Sequence, residues 1–295
     1  MNIVASEDNA DMLENTIATC VCNEESLPLT SSLLANLLEF LKDDNLNILE
    51  LKDFLLMDPS LCSQILKMAN SAFYGARGEV TSIQRAIDIL GIREVLSICL
   101  TIAIKQQFSP QKLAKSFEPD LFWKHSLLTA MIARDMATKY DSLICLDGIY
   151  LMGLLHDIGR ITVATALPDL FDSVAAMSAI TRLSLYENEI QQGCSHTELG
   201  FLLACKWSLP VHIALAIKYH HNPSASNSHK KELAIVHIAD NISKTGEEAH
   251  ILTHKTPLDE SALELLGLTK EKHLKQYELA EKFRALVNST WETLK

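Results

Sequence analysis

No long stretch of this sequence alternates apolar and polar residues as a half-buried strand requires; its apolar residues recur at helical spacing instead. That pattern restricts the chain to helices packed on helices. Punctuation agrees, since only 10 Gly and 8 Pro occur among 295 residues, too few for the many turns of an all-β protein. With 48% apolar residues the chain can bury one large core or two modest ones. The expected fold class is all-α, an N-terminal helical bundle packed on a second helical unit and closed by a C-terminal helix.

Charge narrows the function. The 26 Lys and Arg against 37 Asp and Glu give a formal net charge of −11, which argues against a general nucleic-acid grip, because such binding rests on cationic neutralisation of phosphates. The 7 cysteines are odd in number and only Cys20-Val21-Cys22 brings two close together, so they read as reduced thiols. The acidic N-terminus lacks a basic stretch followed by an apolar run, and the charge-free run Val95 to Ile104 is too short to span a bilayer. The expectation is a cytoplasmic protein with neither a membrane nor a nucleic-acid partner.

Along the chain, residues 1–26 form an acidic leader, 27–115 a first helical subdomain, 116–250 a second, and 251–295 a C-terminal helical segment. Asp58-Pro59 predicts a cap followed by proline at the first helical position, opening a helix with Leu61, Ile65 and Met68 on one face. Thr81-Ser82-Ile83-Gln84 fits a capping box with Thr81 as the cap, and Ile83, Ala86, Ile87 and Leu90 repeat at helical spacing up to Gly91. The stretch from Glu94 to about Lys105 is apolar nearly all round and should be buried. In the second unit helices are predicted from Leu121 to about Lys139 and from Val211 to His220, the latter with Pro210 at its first position. Lys230 to Ser243 reads as amphipathic, with Leu233, Val236 and Ala239 on one side, and a charged helix follows from about Lys270 to Leu294.

Seven residues of the second unit carry chemistry: His125, His156, Asp157, His196, His220, His221 and Asp240. Neutral imidazoles and carboxylates are the ligands that Zn, Fe, Mn and Ni accept, and this set can hold one ion or two. His156-Asp157 is the centre, because adjacent residues at a helix end point about 100° apart and need ligands from other helices to close a site. His125 and Asp240 suit one ion; His196, His220 and His221 suit a second, with Asp157 bridging a pair about 3.5–4 Å apart. The plainer alternative is a set of core and helix-end histidines, since their spacing has no fixed metal-ligand period.

Other residues weigh toward structure. His237, three residues before Asp240, could orient that carboxylate but reads better as a half-exposed histidine. His212 reads as structural, and His229, His250, His254 and His273 as solvated. Glu198 is a weak candidate for a general acid or base, and Asn70 with Ser71 reads as a turn closure more than as a recognition surface.

Two blocks of text carry a family resemblance. His125, then Gly153-Leu154-Leu155-His156-Asp157-Ile158-Gly159-Arg160, then Asp240 resembles the H…HD…D pattern of HD-superfamily metal-dependent phosphohydrolases. Upstream, Met57-Asp58-Pro59-Ser60-Leu61, Lys67 to Tyr74 and Thr81 to Gly91 are similar to the HDOD (HD-related output domain) family, as are Cys194 to Gly200, Lys206 to Pro210 and His220-His221-Asn222-Pro223 downstream. The resemblance spans about Leu27 to Leu268 and implies a bacterial signalling output that acts through a protein partner. His196 with His220-His221 further resembles the additional ligands of HD-GYP cyclic dinucleotide phosphodiesterases. Two departures stand against that activity: Arg160 replaces the expected lysine, and no Gly-Tyr-Pro triplet occurs.

The sequence therefore supports two readings. The first is a signal-transduction output protein with a divalent transition metal, one or two ions of Fe, Mn, Zn or Ni, at an HD site, and a signalling protein as partner. The second is a phosphohydrolase acting on a nucleotide or cyclic dinucleotide, with Asp157 and Arg160 as catalytic residues and a phosphorylated small molecule as ligand.

Overall fold

The computed structural model describes residues 31–43, 46–71, 78–108, 113–140, 144–245, 257–269, 277–278, 280–288 and 291. Among the described residues the regular structure is entirely helical and no strand occurs. They gather in two compact units, one from Thr30–Gln107 with Lys282–Lys295, the other from Phe108–Glu281. The described part of 251–295 is thus divided between the two.

The first unit contains α1 (Ser32–Lys42), α2 (Ile48–Leu56), α3 (Pro59–Ala69), α4 (Ile83–Leu90) and α5 (Ile92–Gln107). Each of the first four starts on a short polar residue that accepts from the orphan backbone donors of the first turn. Asp58 does so twice, from Ser60 N at 2.9 Å and Leu61 N at 3.1 Å, with Pro59 opening α3. The cap of α4 is Ser82, not Thr81: its hydroxyl accepts from Arg85 N at 3.2 Å, and Gln84 turns to Asp88 instead. Two neighbouring hydroxyls compete for that role, and the helix begins one residue later than the sequence pattern predicts. α5 is buried continuously from Glu94 to Ile104, and α1, α3 and α4 pack against it. Asn70 closes α3 by donating to Leu66 O and Val80 O, both at 2.8 Å, while accepting from Val80 N at 2.7 Å. Its polar atoms are occupied by backbone, as the turn-closure reading expects.

The second unit contains α6 (Pro119–Tyr140), α7 (Leu146–Leu155), α8 (Ile158–Ala166), α9 (Pro168–Thr181), α10 (Leu185–Gln191), α11 (His196–Lys206), α12 (Val211–Tyr219), a 3-10 turn at Pro223–Ala225, α13 (Lys230–Ser243) and α14 (Glu260–Leu265). α7 lies among α6, α12 and α13, and α8 packs on α11 and α9. α13 is not amphipathic: every residue from Leu233 to Ser243 is buried, because α6, α7, α12 and α14 surround it. Pro210 stands one position earlier than expected, as the residue before α12.

Among the described residues no single helix is long and apolar enough to cross a membrane; the bent pair Gly148–Ala166 and Pro168–Thr181 reaches that length only across a 116° break. The leader, Cys20, Cys22, His250, His254, His273 and much of the C-terminal charged helix lie outside the described residues.

Candidate metal centre

His156 and Asp157 lie at a helix end that is also the start of the next helix. His156 ends α7 in helical conformation (φ −51°, ψ −38°), and Asp157 (φ −100°, ψ 11°) precedes α8. The two consecutive side chains therefore issue from the joint of the unit, where ligands on other helices can surround them.

Glycines bring those ligands in. A Cβ on Gly153 would lie 2.8 Å from Ala130 Cα, so α7 approaches the α6 backbone closely there and carries His156 to His125. A Cβ on Gly159 would lie 1.8 Å from His196 O, and Gly200 faces it from the next turn of α11. Bare backbone at these positions lets His196 reach Asp157. A reciprocal capping box of Ser184 and Glu187 opens the short α10, which delivers Glu189 to the same centre.

All seven sequence-predicted metal ligands come together, in two sets that share Asp157: His125, His156, Asp157 and Asp240, and Asp157, His196, His220 and His221. Asp157 Oδ1 faces the second set, 3.0 Å from His196 Nε2 and 3.3 Å from His220 Nε2. Its Oδ2 faces the first, 3.5 Å from His156 Nε2 and 3.6 Å from His125 Nε2. Asp240 Oδ1 completes that set at 3.2 Å from His125 Nε2 and 3.4 Å from His156 Nε2.

The proton positions follow from the partners. His156 Nδ1 donates to Gly153 O at 2.7 Å and His220 Nδ1 to Ile217 O at 3.0 Å, and a carbonyl can only accept. His196 Nδ1 donates to the Glu189 carboxylate. Ser243 Oγ directs its proton to Asp240 O at 2.7 Å, so toward His125 Nδ1, 3.1 Å away, it can only accept. Each neutral ring thus carries its proton on Nδ1 and presents a bare Nε2 to the centre. His125 and His156 Nε2 stand 3.3 Å apart, as do His196 and His220 Nε2. Facing lone pairs at that separation repel unless a cation sits among them.

Two further observations fit a metal. The buried Asp157 Oδ1 and Asp240 Oδ1 make no hydrogen bond of acceptable direction despite their near nitrogens. The spacings between donor atoms also match neighbours in the shell of an ion bound at about 2.0–2.2 Å, which lie about 3.0–3.5 Å apart.

Charge is arranged to match. Burial alone would raise the Asp157 carboxyl, but the Arg160 guanidinium, with His156 beside it, holds it well below the usual range. Asp240 is likewise held low against burial, chiefly by Lys244, whose Nζ donates to Oδ2 at 2.7 Å. Burial depresses His220 to about 4 and holds His221 well below its ordinary value, keeping both neutral. His156 moves the other way: Asp157 and Asp240 overcome burial and raise it, so this corner attracts positive charge.

Arg160 is buried, with Nε on Asp157 Oδ2 at 2.8 Å and Nη1 on Glu189 Oε1 at 3.3 Å. Glu189 therefore links Arg160 to His196, a role the sequence analysis missed because a glutamate in a short polar helix reads as a solvated charge. Lys244 was missed for the same reason and Ser243 because a serine at a helix end reads as a cap; Tyr186, whose ring stacks on His221 at 4.2 Å, was not singled out either. Glu198 pairs with Lys218 at 3.3 Å, partly exposed. His212 lies near His229 at 6.0 Å, and His229 pairs with Glu232 at 3.3 Å. His237 is not half-exposed but fully buried, and it binds His220 O in place of Asp240.

Comparison with known proteins places the fold among solved structures. A Geobacter sulfurreducens structure described as an HDOD domain protein of unknown function is 26% identical, with a TM-score of 0.77 over 94% of this chain and 98% of that one. A candidate signal transduction protein of Marinobacter aquaeolei VT8 (21% identity, TM-score 0.82, 99% of this chain and 68% of that one) and a candidate phosphohydrolase of Shewanella amazonensis SB2B (21%, 0.74, 95% and 98%) share the fold. An uncharacterized protein of Treponema pallidum (strain Nichols) is 22% identical over 218 residues, 73% of this chain; the match spans only 42% of that relative's length. The HDOD domain profile itself matches residues 27–223, more than half of the 295, and includes six of the seven converging His and Asp residues; the chain belongs to the HDOD family.

Proposed function

We propose that this protein is an HDOD signal-output protein whose HD-type centre holds one or two divalent transition-metal ions, of Fe, Mn, Zn or Ni, and which passes its state to a protein partner. One observation carries the reading: four imidazoles with committed Nδ1 protons direct bare Nε2 atoms at the two oxygens of one carboxylate. His125, His156, Asp157 and Asp240 would hold one ion, and Asp157, His196, His220 and His221 the other. Arg160 holds Asp157, Glu189 holds His196 and Lys244 holds Asp240, so each of these three ligands is oriented by a buried charge. Exposure of the seven ligands does not exceed 7%, reached at His125 and His221, which suits a centre that registers an ion more than one that admits a bulky substrate.

A second reading, phosphohydrolase activity on a nucleotide or cyclic dinucleotide, is favoured by the shared carboxylate. Bound ions would supply Lewis acidity to a phosphoryl oxygen. Within that reading Arg160 serves Asp157, because its guanidinium is engaged by two carboxylates.

The deciding experiment measures metal by mass spectrometry in untagged protein purified without chelator, beside the His156→Ala/Asp157→Ala variant. One or two equivalents in the parent and none in the variant are expected. No metal in either after reconstitution overturns the reading. Turnover of any member of a phosphoester panel that is lost in His156→Ala would move the assignment to the second reading. Failure of immunoprecipitation from a native source to recover a partner under any growth condition would remove the partner.

A further inference from the structure

One buried histidine outside both ligand sets joins the centre to a distant part of its unit. His237 lies on α13 at 1% exposure, and both ring nitrogens are engaged. Its Nδ1 donates to His220 O at 2.7 Å, and its Nε2 accepts from Asp259 N at 2.9 Å. Asp259 is the cap of α14: its carboxylate accepts from Ser261 N at 2.9 Å and from Ser261 Oγ at 2.6 Å. The 3-10 turn Pro223–Ala225 follows His220-His221 directly. α14 packs on α13 and on that turn. Through one imidazole, the backbone of the His220-His221 pair is tied to the N–H of the α14 cap, Asp259.

Resting on the metal-centre reading above, we infer that His237 is a positioning residue for the His220-His221 pair and couples metal occupancy to the docking of residues 257–268. An ion would restrain His220 at Nε2, while its Nδ1 is held by Ile217 O and its carbonyl by His237. An adjustment of that backbone reaches the Asp259 N–H through this ring. Coupling is reciprocal: an ion that favours docking of the segment is itself bound more tightly when the segment is docked. Histidine suits the position because its neutral ring offers a donor and an acceptor on opposite edges, which an apolar ring of similar size cannot.

The test is hydrogen exchange, read by mass spectrometry on peptides within 257–268, for metal-loaded and chelator-stripped protein, with metal content measured on the same samples. Exchange in the parent should slow about fivefold or more on loading. In His237→Phe the segment should stop responding to metal and apparent metal affinity should fall about 10- to 100-fold; His237→Gln, which keeps a donor and an acceptor, should restore both. A parent that binds metal with no change at 257–268, or a His237→Phe variant that keeps the response, overturns the inference and leaves the metal reading standing. A parent that takes up no metal fails at the earlier step, and both fall. Should His237→Phe not fold, Asp259→Pro and Asp259→Ala replace it, since both lose the cap but only proline removes the N–H, at a φ of −72° that it accepts. Loss of the response in the proline variant alone is expected, and retention in both overturns the inference.

Discussion

At the scale of the residue, the centre is governed by which atom holds each proton. His156 is raised because Asp157 and Asp240 draw positive charge to it against the pull of burial. A proton and a metal ion therefore compete for one Nε2. The sign follows: below the raised value the proton occupies the site, and above it the nitrogen is free. Apparent metal affinity should rise between about pH 6 and about pH 8, with proton release on binding. Competition titrations at both values, with calorimetry in buffers of different ionisation enthalpy, check this; affinity that is flat or falls with pH contradicts it. The seven converging residues were legible in the sequence chiefly because their text resembles the H…HD…D pattern and the later family blocks, since their spacing alone has no metal-ligand period. Glu189, Ser243 and Lys244 were not, since burial alone turns such residues from surface charges or caps into partners of the ligands.

At the scale of the element, the site depends on close approach of helix backbones. Capping chemistry and apolar spacing locate most helices, as Asp58 and Pro59 show for α3, but they do not say which helices touch. That is decided at Gly153 and Gly159, where a side chain would collide with the backbone of α6 or α11. Gly159→Ala should cost about 3 kcal/mol or more, because the obstructing atom is a backbone carbonyl that cannot rotate away. Metal content should fall with it, since His196 is displaced from Asp157. Denaturant unfolding and metal analysis check both; a variant of unchanged stability would mean that the two helices are not so closely apposed. The burial of α13 on all sides was illegible for a related reason, as its polar residues His237, Asp240 and Asn241 resemble a solvated face until their partners are known.

At the scale of the molecule, the metal should act as a ligand of the folded state alone, because the unfolded chain cannot assemble donors drawn from several separate helices or their ends. An ion at about 100 times its dissociation constant then adds about 2.7 kcal/mol. For a chain of this size that corresponds to a rise in melting temperature of roughly 4–5 °C. Thermal melts with and without metal should show this for the parent and no shift for His156→Ala/Asp157→Ala. The separation into two units gives the readout a second use: the transition that moves with metal should be the one involving Phe108–Glu281.

The all-α class, the capped start of α3 and the buried α5 were determined by the sequence, because periodicity and capping chemistry are local properties, and the seven converging His and Asp residues were marked by the family pattern they resemble. The tertiary structure alone decided that one carboxylate faces two ligand sets, that Arg160 serves carboxylates, and that His237 joins His220 to Asp259. Those facts depend on the direction of each lone pair and on how closely two backbones pass, and neither is written in the spacing of residues along a chain.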